Sequence, residues 1–251
     1  LSRLRRSKKR RDRVAVSQMA EKEENPGISG TTVQILVVLG STGQGMLLSG
    51  SEREIVIRES VNSGIRTIVG CSGFSTNHTL EFVLQAQELK ADGVLILPPP
   101  YCKPSRAGIV SFFEHIHNQS NIPIIMYNNP ARSSVEIHVD DVVELSYLKR
   151  IVGIKDSTTD LFRILSLKNK INVFAGDDIN VPNYLINGAA GMITVASNIV
   201  PQLYRDLFDS YKVKDFANFL KTRTQGRGNE KWQEILINYL IHLFIQQIYI
   251  A

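Results

Sequence analysis

The chain has 251 residues, of which 43% are hydrophobic and 21% are charged. This length fits one α/β domain with a single large core, and the composition is that of an ordinary globular protein. The net charge of +5 arises in residues 1–13, which hold eight of the 29 basic residues and one of the 24 acidic residues. The remainder carries a net charge of −2, which excludes a basic nucleic-acid-binding domain.

The basic segment 1–13, LSRLRRSKKRRDR, is interpreted as a disordered, solvated tail. An organelle-targeting segment and a contact with an anionic surface are the alternatives. No aromatic residue lies among its basic residues and no nucleic-acid-binding module follows, so binding of nucleic acid is ranked last.

The two cysteines, Cys71 and Cys102, form neither a disulfide framework nor a metal-ligand spacing. They favour a reducing compartment. We therefore expect a cytoplasmic protein, or an organellar one if the tail is a targeting segment. The apolar stretch 235–251 contains four polar residues and is too short for a membrane span, which predicts a buried or interface helix.

Short β-branched runs alternate with longer amphipathic runs, a pattern that predicts a parallel sheet with crossover helices. The predicted strands are 33–39, 66–69, 93–97, 123–127, 151–155, 173–175 and 192–195. The predicted helices are 51–63, 77–90, 107–119, 139–146, 159–168, 181–187, 202–214 and 231–249. Ser51 followed by Glu54 predicts a capping box at the start of the first helix.

A closed barrel of this type needs an eighth strand. Residues 14–16 could form it, but the sixteen residues before the next strand include Pro and Gly and leave little room for a crossover helix. We therefore predict a (β/α)8 TIM barrel with C-terminal helices, in which the first β/α unit is degenerate or missing. It forms a single domain over 14–251, with an atypical helix at 227–251.

Polar residues follow the predicted strands, where such a barrel carries its chemistry. The turn GSTGQG holds two hydroxyls, and the later runs PPPYCKP, YNNPARSS and AGDD follow three other strands. Each run alone is also compatible with an ordinary turn, a packing tyrosine or a solvated charge. The turn lacks the ending of a nucleotide P-loop. Asp177 and Asp178 have no His, Cys or Glu nearby at ligand spacing, so no metal site is predicted.

Lys155 stands apart because it ends a buried strand, in the run IVGIKDST. Burial of an unpaired ammonium group is costly. A neutral amine beside hydroxyl groups is what Schiff-base formation with a ketone requires. Lys155 is therefore the candidate nucleophile.

The runs GSTGQG, PPPYCKP, YNNPARSS, GIKDST and VFAGDD occur in an order and spacing that resemble the dihydrodipicolinate synthase / N-acetylneuraminate lyase family, over residues 33–211. The resemblance implies a class I aldolase in which Lys155 condenses with the carbonyl of pyruvate to give an imine and then an enamine. It implies that Tyr127 carries protons. Ser41 and Thr42 would hold the pyruvate carboxylate. The protonated imine is the electron sink, so neither a metal nor an organic cofactor is expected.

The resemblance implies roles for four further residues. Tyr101 matches a tyrosine that enters the site of a neighbouring subunit, so a homo-oligomer, either a dimer or a tetramer, is expected. Ile193 and Gly176 would line the pyruvate pocket. Arg132 matches an arginine that binds the carboxylate of the second substrate in synthase-like members, and a planar guanidinium suits that task.

The synthase-like branch, which serves lysine biosynthesis, is therefore the leading hypothesis. Ser41 in place of threonine and Gln44 in place of glutamate depart from the synthase pattern. The run KDST in place of Lys-Glu-Ala is closer to members that cleave 4-hydroxy-2-oxoglutarate or another 2-keto-3-deoxy acid, so such an aldolase is the alternative. A third hypothesis is a truncated, non-catalytic homologue that binds a keto acid or a partner subunit.

Overall fold

The computed structural model describes residues 17–20, 35–198, 200–215 and 217–222. Eight strands close a barrel in chain order. They are β1 (Ser17–Ala20), β2 (Ile35–Val38), β3 (Arg66–Gly70), β4 (Gly93–Ile96), β5 (Ile124–Asn128), β6 (Ile151–Asp156), β7 (Asn172–Ala175) and β8 (Gly191–Thr194). The α-helices are α1 (Gly50–Asn62), α2 (Thr76–Glu88), α3 (Arg106–Gln119), α4 (Pro130–Ser133), α5 (Val139–Leu145), α6 (Leu161–Leu167), α7 (Val181–Ile186) and α8 (Pro201–Lys212). The predicted TIM barrel is confirmed.

Strand β1 differs from the other seven in its direction. Strands β2 to β8 pair in parallel, whereas β1 pairs antiparallel with both β2 and β8. Gln18 lies opposite Leu36 on one side and Thr194 on the other. An antiparallel strand cannot begin a regular β/α unit, so β1 closes the barrel without being the first strand of such a unit. The suggested strand at 14–16, the basic tail and the helix predicted at 231–249 lie outside the described residues.

The strands bury side chains on both faces, because helices cover the outside and side chains fill the inside. The inner group consists of Ile35, Val37, Ile68, Leu95, Leu97, Ile125, Tyr127, Phe174 and Ile193. Alternate residues of the same strands, among them Val38, Val69, Ile96, Met126 and Ile154, pack outward in the second cluster with the helices. Each such side chain contributes about 1.5–3 kcal/mol when fully buried.

A β-bulge in β6 sets the register of the two strands that carry the candidate nucleophile. Ile124 of β5 lies opposite Ile151, but the next residue, Ile125, lies opposite Gly153, so Val152 is the extra residue. Side chains alternate between faces, and a slip of one residue would reverse them. The bulge therefore brings Tyr127 opposite Lys155 on the inner face.

The predicted helices that lie in the described residues agree with the structure within a few residues, whereas the short helix α4 was not predicted and one cap differs. The predicted capping box of Ser51 and Glu54 is wrong, because Ser49 is the N-cap of α1 and Glu52 its partner. The Ser49 amide donates to Glu52 Oε2 at 3.0 Å, and Ser49 Oγ accepts from the Glu52 amide at 3.4 Å. Both pairs have the same three-residue spacing, and the earlier one coincides with the start of the helix. Within the described residues, no helix has the length and apolar character needed to cross a membrane.

Candidate active site

Lys155 and Tyr127 face each other inside the barrel mouth. Lys155 is 6% exposed, and its Nζ lies 4.5 Å from the centroid of the Tyr127 ring. An ammonium group over an aromatic face gains a cation–π attraction, which offsets part of the cost of burial. Phe174 of β7 is opposite Lys155 in the register on the other side. The amine is thus held between two aromatic strand positions.

The phenol of Tyr127 is the second feature of the site. Asn129 Nδ2 donates a hydrogen bond to Tyr127 Oη at 2.8 Å. Burial acts to raise the pKa of the phenol, but the charge of Lys155, the charge of Arg132 and the bonds from Asn129 and Ser157 together outweigh it. The pKa therefore lies below its ordinary value of 10. A phenol with a lowered pKa releases and recovers a proton more readily near neutral pH.

Gly176 begins the loop after β7 and leaves room for the lysine chain. A Cβ atom at this position would lie 2.9 Å from Lys155 Cε and closer still to Ser157 Oγ. Ser157 Oγ is buried, and its hydrogen-bonding interaction with the phenol of Tyr127 helps to lower the pKa of that phenol.

The turn after β2 is held from behind by a buried arginine. Arg53 is fully buried, and its guanidinium donates to the carbonyls of Gly45 and Gly70 at 3.1 and 3.0 Å. The same group lies 3.7 Å from the centroid of the Phe82 ring. Gly45 is required here, because a Cβ atom would collide with the carbonyl of Leu39. Arg53 therefore ties the turn to the end of β3.

The hydroxyls of Ser41 and Thr42 are available for binding. Ser41 is exposed and Thr42 half-buried. Their turn is closed by backbone bonds, from the Gln44 amide to the Ser41 carbonyl and from the Gly45 amide to the Gly40 carbonyl, both at 3.2 Å. Neither hydroxyl forms a hydrogen bond to another described residue.

The remaining predicted site residues differ in their exposure to solvent; they are Arg132, Ile193 and Tyr101. Arg132 is exposed at the end of the single-turn helix α4, and its charge acts on the phenol of Tyr127. Ile193 is fully buried inside the barrel, with no contact to solvent. Tyr101 is 88% exposed with a positive φ of 73°, so its ring projects away from the barrel of its own chain.

Asp178 shapes the loop that follows β8. Its Oδ1 accepts from the amides of Val195 and Ala196 at 2.9 and 3.2 Å. Burial raises the pKa of this carboxyl above its usual value, although those two amides and the charge of Lys155 oppose the shift. The influence of Lys155 places Asp178 in the electrostatic surroundings of the candidate nucleophile.

Three of these supporting residues do not emerge from sequence reasoning. Asn129 is part of the run YNNPARSS, but nothing in the sequence shows which of the two asparagines reaches the phenol. Arg53 reads as one charge on a surface helix. Asp178 reads as half of an acidic pair.

Neither a metal site nor a reactive thiol is evident in the described part of the chain. Groups of three or more His, Cys, Asp and Glu side chains suited to a metal ion are absent there. Burial raises the pKa of the Cys71 thiol to about 12, so this thiol stays protonated and unreactive. Cys102 is exposed and not part of a disulfide. The nucleophile that the described geometry offers is Lys155.

Known proteins resemble this chain in sequence. The sequence profile of the dihydrodipicolinate synthetase family matches residues 10–243. The 4-hydroxy-tetrahydrodipicolinate synthase of Magnetococcus marinus is 33% identical over 205 residues, which cover 79% of this chain and 68% of that protein. The chain thus spans about two thirds of the length of such curated relatives, and 66% of one from Rickettsia bellii.

Solved structures show the same likeness. The dihydrodipicolinate synthase of Aquifex aeolicus aligns with a TM-score of 0.75 and 31% identity, over 78% of this chain and 69% of that one. The chloride-inhibited enzyme of Acinetobacter baumannii, solved with pyruvate, aligns with a TM-score of 0.74 and 32% identity, over 77% and 69%. Family profile, relatives and fold agree, and the chain belongs to the dihydrodipicolinate synthetase family.

Proposed function

We propose that this protein is a Schiff-base lyase that condenses pyruvate with aspartate semialdehyde, the reaction of a 4-hydroxy-tetrahydrodipicolinate synthase in lysine biosynthesis. The observation that carries the proposal is the buried Lys155 amine, 4.5 Å from the ring of Tyr127 inside the barrel mouth. Its surroundings in the described residues offer no carboxylate that bonds to it. The amine is therefore available as a nucleophile.

The first step is formation of the imine. The neutral amine of Lys155 adds to the C2 carbonyl of pyruvate, and loss of one water leaves a protonated imine. Ser41, Thr42 and the amides of their turn hold the pyruvate carboxylate. Tyr127 supplies the proton that the departing oxygen needs, and its lowered pKa suits that exchange.

Carbon–carbon bond formation follows from the same imine. Removal of a proton from C3 gives an enamine, with the positive nitrogen of the imine taking up the electron pair. The enamine carbon attacks the aldehyde carbon, and the aldehyde oxygen takes a proton. The amino group of the second substrate then displaces Lys155 and closes the ring, so that one water is lost overall.

Arg132 is the reason for proposing aspartate semialdehyde as the second substrate. Its guanidinium is exposed at the rim, and its charge acts on Tyr127. A carboxylate on the incoming aldehyde can pair with it in a bidentate way. Aspartate semialdehyde carries such a carboxylate.

The decisive experiment traps the imine. The protein is incubated with pyruvate and borohydride, digested and mapped by mass spectrometry. We expect a reduced pyruvate adduct on Lys155, no adduct in Lys155→Arg, and none when pyruvate is omitted. Absence of an adduct on Lys155, or an equal adduct on the exposed Lys149, would refute the proposal.

One observation favours the related aldolase as a second candidate. Ser157 Oγ is buried beside the Lys155 chain and the Tyr127 phenol, where a substrate with a hydroxyl group of its own could bond to it. An aldolase for 4-hydroxy-2-oxoglutarate has such a substrate. Parallel assays of condensation with aspartate semialdehyde and of cleavage of 4-hydroxy-2-oxoglutarate decide between the two. Saturable pyruvate binding without either activity would indicate the non-catalytic homologue.

Assembly and location are part of the same proposal. The exposed Tyr101 fits insertion into a neighbouring site, so we expect a homodimer or homotetramer, which sedimentation checks. We expect the protein to act in a reducing compartment, most simply the cytoplasm.

A further inference from the structure

Asp156 is the most thoroughly bonded carboxylate in the described residues, and it lies on the reverse side of the candidate site. It follows Lys155 in β6, so its side chain points outward between the barrel and the helices, and it is 1% exposed. Its Oδ1 accepts from the Thr158 amide and hydroxyl at 3.0 and 2.6 Å and from Tyr184 Oη at 3.1 Å. Its Oδ2 accepts from Asn128 Nδ2 at 3.0 Å and Arg163 Nε at 2.9 Å.

These five donor groups belong to four residues, and three of the four lie in other elements of the barrel. Asn128 belongs to β5, Arg163 to α6 and Tyr184 to α7. Arg163 also donates to Glu136 Oε1 at 2.6 Å and to the carbonyl of Ile137 at 2.8 Å. One carboxylate thus joins two adjacent strands, two helices and the segment that follows β5.

The bond between Asn128 and Asp156 crosses directly behind the reacting pair. In the register of β5 and β6, Tyr127 lies opposite Lys155 and Asn128 opposite Asp156. Asn128 Oδ1 also accepts from the Ile137 amide at 3.0 Å, so this asparagine cannot rotate without losing a second bond. The Gly176 amide, on the loop behind Lys155 Cε, donates to the carbonyl of Asp156 at 2.8 Å.

We infer that Asp156 is a positioning residue: on the outer face of β6 it fixes the place of Lys155 against Tyr127 on the inner face. The inference rests on the proposed function for the reaction that it serves. A small change in the direction of β6 at one residue moves the end of the long Lys155 side chain by a larger distance than it moves the backbone. Misplacement of a reacting group by about 1 Å can cost about a hundredfold in rate.

Charge explains why a carboxylate is needed at this position. Arg163 is 6% exposed in its side chain and depends on Asp156 as its buried anionic partner, while Glu136 is 41% exposed. An amide at position 156 would keep the shape but leave the guanidinium with less negative charge around it. Arg163 would then turn toward Glu136 and draw α6 away from the end of β6.

The test compares Asp156→Asn with Asp156→Glu, which retains the charge. The rate of borohydride trapping of pyruvate on Lys155 is measured per folded molecule, with folding checked by circular dichroism. We expect Asp156→Asn to slow trapping by about ten- to a hundredfold. The half-saturating pyruvate concentration should stay within about threefold of native, because the turn that holds the carboxylate follows β2 and not β6. Asp156→Glu should recover the rate to within about fivefold of native.

A milder pair keeps the test valid if Asp156→Asn does not fold. Tyr184→Phe removes one neutral donor from Asp156 and should slow trapping by about two- to fivefold. The matched change Tyr147→Phe, at a residue that is 80% exposed, should leave the rate unchanged. A folded Asp156→Asn that traps at the native rate, equal losses in the Asn and Glu variants, or a native rate in Tyr184→Phe would overturn the inference.

Failure of the proposed function gives a different result. If the native chain forms no pyruvate adduct, the proposed function fails, and the inference is decided by labelling with acetic anhydride. The ratio of labelling at Lys155 to labelling at the exposed Lys149 then reports the placement of the amine. A change of at least about threefold in Tyr184→Phe or folded Asp156→Asn supports the inference, and an unchanged ratio refutes it.

Discussion

The inner and outer faces of β5 and β6 have opposite characters at the ends of these strands. On the inner face, Tyr127 and Lys155 meet through a ring contact, and the amine makes no hydrogen bond to a described residue. On the outer face, one residue further along, Asn128 donates to Asp156, and Asp156 also accepts from one residue in each of the helices α6 and α7. The difference shows where the barrel keeps groups available and where it makes them rigid. Precise sites need such support from behind.

The largest effect is expected from the inner face. Lys155→Met removes the nucleophile and keeps a chain of similar length, so activity should fall by about four orders of magnitude or more. The unfolding free energy should stay constant or rise by up to about 1 kcal/mol, because a buried amine is lost. Steady-state assays and urea denaturation measure the two quantities. Lys170→Met, at an exposed position, serves as the control.

On the outer face, a substitution should lower the unfolding free energy, whereas the substitution on the inner face should not. Asp156→Asn leaves the buried Arg163 without its one buried carboxylate partner among the described residues, and we expect the unfolding free energy to fall by about 3–5 kcal/mol. Urea denaturation at neutral pH measures the loss, and Asp140→Asn, at an exposed position, is the control. A loss below about 1 kcal/mol would contradict the assigned role of the network.

Asp156→Asn should also change how the stability of the protein depends on acidic pH. Burial acts to raise the pKa of Asp156, but the charge of Arg163 and the bonds from Thr158 and Asn128 hold it below its usual 3.8. A depressed pKa contributes stability that is complete above the unfolded value and is lost as the pH falls through the folded value. The acid-induced loss of stability below pH 3.8 should therefore be smaller in Asp156→Asn than in the native protein.

Tyr127→Phe separates the phenol from the ring on the inner face. The ring contact with Lys155 remains, while the proton carrier is lost, so kcat should fall by about 10²- to 10³-fold. The melting temperature should change little, and the imine should still be trapped, although more slowly. Equal kcat values in Tyr127→Phe and the native protein would assign proton transfer to another group.

The sequence predicts the inner face better than the outer one. A lysine, a tyrosine and a Gly-Ser-Thr-Gly turn at strand ends have a chemical meaning, and their order along the chain is visible. Asp156 is equally visible, but its partners are residues on two helices and another strand. Nothing in the sequence pairs Tyr184 with a carboxylate 28 positions earlier. Such networks depend on tertiary packing.

Two features of the scaffold escape prediction for related reasons. The bulge at Val152 adds one residue to an apolar run, and no periodicity marks it, although it decides which face Lys155 occupies. The closing strand β1 lies in a stretch without strand-like alternation, and its antiparallel direction depends on the open edges of β2 and β8. Edges that would otherwise stay unpaired give this short strand its stability.

The smallest effect is expected from the hydrogen bond between Asn129, in the loop after β5, and Tyr127 at the end of that strand. Asn129 Nδ2 donates to the phenol of Tyr127 at 2.8 Å. This bond stabilises the phenolate more than the phenol, and so it helps to lower the pKa of Tyr127. Asn129→Leu keeps the size of the side chain and removes the donor, so the pKa of the phenol should rise.

The consequence appears in the pH profile. If Tyr127 acts as a proton donor, kcat/KM falls as the phenol ionises, and the basic limb should move to higher pH in Asn129→Leu. At neutral pH the activity should fall by about two- to tenfold, the cost of one hydrogen bond. The exposed Asn118→Leu is the control, with the native profile expected. A basic limb that moves to lower pH would show that Asn129 stabilises the protonated phenol instead. The reactivity of the inner face would then depend on this hydrogen bond as well as on the contact between the Tyr127 ring and the Lys155 amine.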